Sequence, residues 1–346
     1  MKVTVNFGSA RPGGIDVTFA GLAAQTYPDW ELVFVDALYH RRHRRVLAAW
    51  AEACEKTGCQ AKLFHVPNHR YRPDLWGTTC AGYNTGFALA DSEIVILLLD
   101  YAYAPPGWIE AHVRYHDSPR IVMGPYLSKQ TPIPIDMNGR PGQFLGNRTG
   151  TPPEALIGIL ENYDMISVFR ELPKDFANLA DSAYEGRDPK THRGDAGPHT
   201  YLDFHTKNES FPRENIFRCN GMDERYDEIC GPGDAELGFR LSTSGLECFF
   251  NPEARVYVLN PRQYMPNPNG CLFHDKRAPP PHHARAPYVE GEAIFQDVMA
   301  QREIRAKNPQ SLEELRDRIW HWRADSQEQR AVLPKTTLSD EDYYLP

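Results

Sequence analysis

Asp36, Asp100 and Asp234 stand where a carboxylate can do chemistry. Asp234 follows the tight loop Gly231-Pro232-Gly233 and opens a segment with Leu237, Leu241 and Leu246 at roughly helical spacing, before a stop signal at Gly245. A helix N-terminus carries unpaired N–H groups and the positive end of the dipole. A carboxylate there is stabilised in its charged form, so Asp234 can take a proton from an approaching hydroxyl. Aspartate is also a favoured N-cap, and plain capping is the competing reading. Asp100 ends the apolar run from Ile94 to Leu99, and Asp36 ends the run from Trp30 to Val35. The C-terminal ends of strands are where open α/β sheets bind ligands. Carboxylate oxygens there accept from ligand hydroxyl or N–H groups.

The elements that must position these groups are legible as an α/β alternation. Val3 to Phe7 is a first strand, followed by a loop that carries Arg11. Asp16 can cap a helix from Val17 to about Gln25, Pro28 ends it, and the strand from Trp30 leads to Asp36. A helix is expected from about Arg44 to Lys56, a strand from Ala61 to Val66, and a helix from about Thr78 to Leu89 that carries Asn84. Between the last two lie His69, Arg70, Arg72 and Trp76; of these, Arg70, Arg72 and Trp76 could line a base or a diphosphate, with no basis for choosing among them. Glu93 to Leu99 is the near-continuous apolar strand of a sheet interior. A helix follows from Pro105 to about His116, then a strand from Arg120 to Met123 and a Pro- and Gly-rich stretch to Gly150 read as a long loop or hairpin. Glu154 to Leu160 reads as a short helix, and the polar stretch from Asp181 to Pro198 as a loop. The histidines 192, 199 and 205, with Asp195 and Asp203, match no metal-site spacing. Glu247 to Phe250 and Arg255 to Leu259 are two strands that close the sheet. Residues 261–288 form a proline-dense basic loop, and residues 289–346 a helical extension with an acidic tail. In that extension Leu312, Leu315, Ile319, Trp320 and Trp322 offer an apolar face that either packs on the core or makes a homo-oligomer contact.

The 346 residues carry a net charge of −8, which disfavours general nucleic-acid binding. Basic clusters at residues 40–45, at 69–72 and at 276–285 nevertheless keep a polyanion partner open. Seven cysteines without a Cys-x-x-Cys pair suit a reducing cytoplasm. No apolar run approaches membrane-spanning length, and the first residues are too short and polar for a signal peptide. There is no Gly-x-Gly-x-x-Gly, which weakens a dinucleotide-binding reading.

Four segments, in order, resemble the family 2 glycosyltransferases of the GT-A fold: Gln25-Thr26-Tyr27-Pro28 through Asp36, Asn84 through Ala90, Asp100-Tyr101-Ala102, and Asn220-Gly221-Met222-Asp223-Glu224 through Arg240. The resemblance implies a mixed central sheet flanked by helices over residues 1–260, with a nucleotide-sugar half to about residue 123 and an acceptor half after it. It places Arg11, Asp36, Arg70, Asn84, Asp100 and Lys207 on the nucleotide-sugar donor. It places Asp223, Glu224 and Gly233 on the acceptor side, and Asp234 as general base. The family's Asp-x-Asp metal motif is Asp100 with Ala102 here, so a Mn2+ or Mg2+ ion is held by Asp100 with a distant ligand such as His274, or basic residues serve instead. Gly233 replaces the family's acidic residue before the base. The implied reaction moves a sugar, with a UDP-sugar favoured, to a hydroxyl with inversion. The acceptor is a carbohydrate or a protein, with hydroxymethylated phage DNA as an alternative. A silent nucleotide-sugar-binding module is the alternative of another class.

Overall fold

A computed structural model describes residues 1–9, 13–70, 79–129, 166–167, 195–227, 232–259 and 282–332. Its first half alternates strand and helix: β1 (Val3–Ser9), α1 (Ile15–Ala23), β2 (Trp30–Asp36), α2 (Tyr39–Thr57), β3 (Lys62–Pro67), α3 (Thr79–Leu89) and β4 (Ile94–Leu98). β1, β2, β3 and β4 pair in parallel in the order β3-β2-β1-β4. They are followed by β5 (Ala102–Tyr103), α4 (Trp108–Val113), β6 (Arg120–Met123), β7 (Tyr126–Lys129) and β8 (Gly197–Pro198). Then come β9 (Glu209–Pro212), α5 (Arg213–Arg218), α6 (Gly233–Thr243), β10 (Glu247–Phe250) and β11 (Val256–Leu259). β9 runs antiparallel between β4 and β6, so the sheet continues β4-β9-β6-β10-β8 and is mixed. β5, β11 and β7 form a separate small sheet. The expectation that Glu247–Phe250 and Arg255–Leu259 jointly close one sheet is therefore corrected: β10 joins the large sheet and β11 the small one.

Alternation along the strands sorts the core onto two faces. Val5, Phe7, Leu32, Phe34, Ile96 and Leu98 point to one side, against Phe19 and Leu22 of α1 and Trp50 of α2. Val33, Val35, Val95 and Leu97 point to the other, against Tyr83 and Phe87 of α3 and Leu237 and Leu241 of α6. β2 and β4 are buried along their whole length, as strands covered on both faces must be.

Helix starts differ from expectation for local reasons. α1 begins at Ile15 behind a left-handed Gly14, so Asp16 is not its N-cap. A Cβ on Gly14 would lie 2.6 Å from the ring of Tyr101, which rules out a larger residue at that turn. α2 begins at Tyr39, because Arg42 is drawn into the interior by Asp36 and its neighbours follow it into the helix. The stretch after Met123, expected as a long loop or hairpin, opens with β7, and residues 130–150 lie outside the described residues. The expected helix at Glu154–Leu160 lies outside the described residues.

α7 (His282–Gln301) begins seven residues before the helical extension expected from residue 289, inside the stretch expected as loop, and is followed by α8 (Leu312–Ile319) and α9 (Trp322–Val332). α8 starts with a full capping box, Ser311 with Glu314. Leu312, Leu315 and Ile319 are at most 2% exposed and belong to the core of this chain, which resolves the two expectations for that face in favour of packing. Burial of each such side chain stabilises by about 1.5–3 kcal/mol. Arg323 pairs with the buried Glu31 of β2 at 2.8 Å and stacks on Phe64. Ser326 and Gln327 donate to the carbonyls of His65 and Leu63, so α9 also covers the open edge of β3. Among the described residues no helix is long and apolar enough to cross a membrane.

Candidate active site

The C-terminal ends of β1, β2 and β4 bring Ser9, Asp36 and Asp100 to one edge of the sheet. Ser9 donates from Oγ to Oδ2 of Asp100 at 3.2 Å. The chain turns directly after Asp100 through Tyr101, at φ 61, a conformation that a non-glycine residue adopts only where surroundings impose it. Asp100 is 7% exposed.

Asp36 is held differently from its expected role. Oδ1 accepts from the Leu38 amide at 2.7 Å and from Arg42 Nη2 at 2.8 Å; Oδ2 accepts from Arg42 Nε at 2.7 Å and meets His65 Nε2 at 2.8 Å. Burial alone would raise this carboxyl, but Arg42 and then His65 outweigh it and hold it below the ordinary carboxylate range. His65 continues to His43 through a contact of 2.7 Å between their Nδ1 atoms. A contact from Asp36 to a base or ribose would require one of these partners to let go.

Asp234 lies in the first turn of α6, half-buried, and accepts from Thr206 Oγ1 at 2.6 Å. Thr206 is itself left-handed, at φ 53, and its carbonyl accepts from the buried Tyr83 hydroxyl at 2.7 Å. Burial, followed by the charges of Asp234, Glu209 and Asp100, raises the Tyr83 phenol far above its usual range, so these acids share one electrostatic neighbourhood. The next residue, Lys207, places its ammonium 4.6 Å from the Tyr126 ring centroid, and its carbonyl accepts from the Leu99 amide at 2.9 Å. That bond joins the loop holding Asp234 to the strand end that delivers Asp100. Glu209, buried beneath, accepts from the amides of His205, Lys207 and Asn208. Burial pushes its carboxyl up to about 7, against those bonds.

Within residues 219–225, Glu236 and Arg240, hydrogen bonds close around the Asn220-Gly221 turn. Arg240, fully buried, pairs with Glu236 at 2.6 Å and donates to the carbonyls of Cys219 and Gly221. Asn84 reaches across from α3: its Nδ2 donates to the Met222 carbonyl and to Glu224, and its Oδ1 accepts from the Met222 amide. Asn84, expected on the donor, thus ties α3 to the segment 222–224. Asp223 is closed on Arg225. Glu224 accepts from Arg70 Nη1 at 3.2 Å and lies 3.3 Å from His69 Nε2; burial would raise its carboxyl, and His69, Asn84 and Arg70 together hold it lowered. A Cβ on Gly233 would meet the Tyr226 ring at 3.1 Å, a close contact that a side chain there would have to push back by a few tenths of an ångström.

Sequence reasoning did not single out Thr206, Tyr83, Arg42 or His65. Arg240 and Glu236 did fall within the quoted motif, which was the available signal. Arg11 and His274 lie outside the described residues. For a divalent ion, Asp100 is a suitable single carboxylate when a diphosphate and water supply the remaining oxygens; Ala102 is buried and offers no ligand. Among the described residues no cluster of three or more His, Cys, Asp or Glu side chains comes together as a metal site.

Compared with protein-family models and with curated proteins, the chain matches none. Among solved structures, it is similar to S. aureus TarS residues 1–349, with a TM-score of 0.51 at 11% identity, covering 95% of this chain and 72% of that one. It is also similar to the mannosyltransferase PcManGT from Pyrobaculum calidifontis in complex with GDP-Man and Mn2+, with a TM-score of 0.49 at 16% identity, covering 96% and 76%. At such identity the first likeness is one of fold: the chain has the GT-A fold, a mixed sheet flanked by helices.

Proposed function

We propose that this protein is a glycosyltransferase that moves a sugar from a nucleotide-diphosphate donor to an acceptor hydroxyl, with Asp234 as general base. The observation that carries the reading is the Thr206–Asp234 hydrogen bond at 2.6 Å, on a loop tied to the strand end of Asp100. A carboxylate at a helix start, held by the Thr206 hydroxyl, can accept the acceptor's proton as the acceptor oxygen attacks the anomeric carbon in line and the diphosphate leaves. Asp100 would lie toward the diphosphate, holding Mg2+ or Mn2+ that neutralises charge on the leaving group. Lys207 and Arg70 would supply further positive charge on the donor side, with Asp223, Glu224 and Gly233 toward the acceptor. Inversion follows from a single in-line displacement. A UDP-sugar is the favoured donor, and a carbohydrate or protein hydroxyl the favoured acceptor.

The test is nucleotide release from UDP-, GDP-, CDP- and TDP-sugars, with and without Mn2+, by the wild type and Asp234→Asn. Release that requires Asp234 is expected. Thermal stabilisation by a nucleotide with no release from any donor, across carbohydrate, protein and hydroxymethylated-DNA acceptors, would overturn it in favour of a binding module.

A further inference from the structure

Thr206 sits in a short loop that folds around one carboxylate. Glu209, the first residue of β9 and 1% exposed, is fixed in the large sheet opposite Met123 of β6. Its partners are three backbone amides, with no lysine or arginine among them. Oε1 accepts from the His205 amide at 3.1 Å, and Oε2 accepts from the amides of Lys207 at 2.6 Å and Asn208 at 2.8 Å. The two oxygens thus hold the amides on either side of Thr206, which lies between them at φ 53. Amides that converge around a left-handed residue form an anion-binding concavity, and here the chain's own carboxylate fills it. The end of the loop is fixed as well. Asn208, fully buried, accepts from Trp108 Nε1 at 2.8 Å and donates to the carbonyls of Pro125 and Ala254. From this frame the Thr206 hydroxyl reaches Asp234 at 2.6 Å.

We infer that Glu209 is a positioning residue for the base: its carboxylate moulds residues 205–208 into the turn from which Thr206 bonds Asp234. The inference rests on the reading of Asp234 as general base. It also makes the orientation of that base depend on pH. An ionised Glu209 accepts from all three amides. A protonated one accepts less strongly and carries an O–H that must find its own acceptor among donors, so the loop loosens. Burial pushes the carboxyl up to about 7 against the amide bonds, and the Asp234 charge adds to the rise. Asp234 faces Glu209 from α6 and Tyr83 faces it from α3, while Tyr126, His199, Asp203 and His205 line the same cavity. His199 and Asp203 lie 3.4 Å apart, and the Lys207 ammonium is turned to the Tyr126 ring. His112 and His116, behind on Ser210, are pushed by burial to about 4 and about 3 and stay neutral near pH 7.

The experiment uses the full chain with Glu209→Gln, which sets an NH2 group against at least one of the three amides. kcat and donor KM are measured from about pH 6 to about pH 8.5 with whichever nucleotide sugar turns over. The wild type is expected to gain kcat along an ascending limb near pH 7. Glu209→Gln is expected to lack that limb, to be about tenfold slower at about pH 8 and to keep donor KM within about twofold. His199→Gln and His205→Gln should keep the limb. Combined with Thr206→Val, Glu209→Gln should cost nothing further, because both act through one hydroxyl. A second readout needs no variant and so survives poor folding of Glu209→Gln. In NMR spectra of the wild type, the amide protons of His205, Lys207 and Asn208 should shift together through about pH 7. Wild-type kcat in Glu209→Gln at about pH 8, losses that multiply in the double variant, or amide protons that do not titrate overturn this inference and leave the function reading standing. A wild type that releases nucleotide from no donor overturns the function reading, and this inference with it.

Discussion

The Thr206 hydroxyl donates to Asp234 from a backbone held in the left-handed region, and the same residue's carbonyl receives the Tyr83 hydroxyl. Thr206 is thus clamped on both sides of its peptide, and the carboxylate inherits that rigidity. Thr206→Val keeps the shape and deletes the donor. It is expected to lower kcat by about 10- to 100-fold with donor KM within about twofold, because misplacing a reacting group costs rate rather than binding. Asp234→Asn is expected to lose about 10²- to 10⁴-fold. Steady-state kinetics on both variants decide it; a Thr206→Val enzyme with wild-type kcat would sink the orienting role.

Arg42→Met tests the buried Asp36 centre. It leaves the carboxylate with His65 and one amide, and breaking a buried pair costs about 3–5 kcal/mol. Because the folded-state pKa of Asp36 is depressed, its stabilisation is present above the unfolded value near 4 and is lost as pH falls. The variant's deficit in urea titrations should therefore be large at pH 7 and shrink below about pH 4. A deficit that is the same at both would show that the ion pair carries no net stability.

His112 and His116 sit buried on the Ser210 hydroxyl, and His112 also on Asn208. Burial pushes their pKa values down to about 4 and about 3. The unfolded chain then binds more protons below about pH 6.5, so this stability is present above that value and is lost as pH falls toward 4. Glu209 and Asp227, both raised to about 7 by burial, act with the opposite sign: their contribution is present at low pH and lost as pH rises through about 7. The readable quantity is a difference. His112→Gln should be less stable than the wild type at pH 8 by about 1–3 kcal/mol and should lose less on going from pH 6.5 to 4. Parallel denaturation curves across that range would remove His112 from the account.

Gly221→Ala should be severe. A Cβ there would lie 2.2 Å from Asn84 Oδ1, and the backbone is left-handed at φ 72. Strain and overpacking together are expected to cost about 2–4 kcal/mol. Replacing Asn84 by Ala as well should recover part of the steric component, so the two losses should not add. Strict additivity in thermal melts would show that Asn84 is not what confines Gly221.

Local signals in the chain determined the parts whose cause is local. The apolar β-branched runs of Val3–Phe7, Trp30–Val35 and Glu93–Leu99 lie on β1, β2 and β4 within a residue or two, because burial on both sheet faces demands those side chains. The Gly-Pro-Gly-Asp turn and its leucines placed Asp234 in the first turn of a helix for the same kind of reason. Tertiary structure alone decided which polar groups find one another. Asp36 turns inward because Arg42, in the first turn of the next helix, and His65, on the neighbouring strand, converge on it. Asn84 joins two halves because α3 passes 138 residues of chain away from Met222 yet beside it. Periodicity records how much of a side chain is buried, while a hydrogen bond also needs distance and direction, and those exist only once the sheet has brought remote segments together.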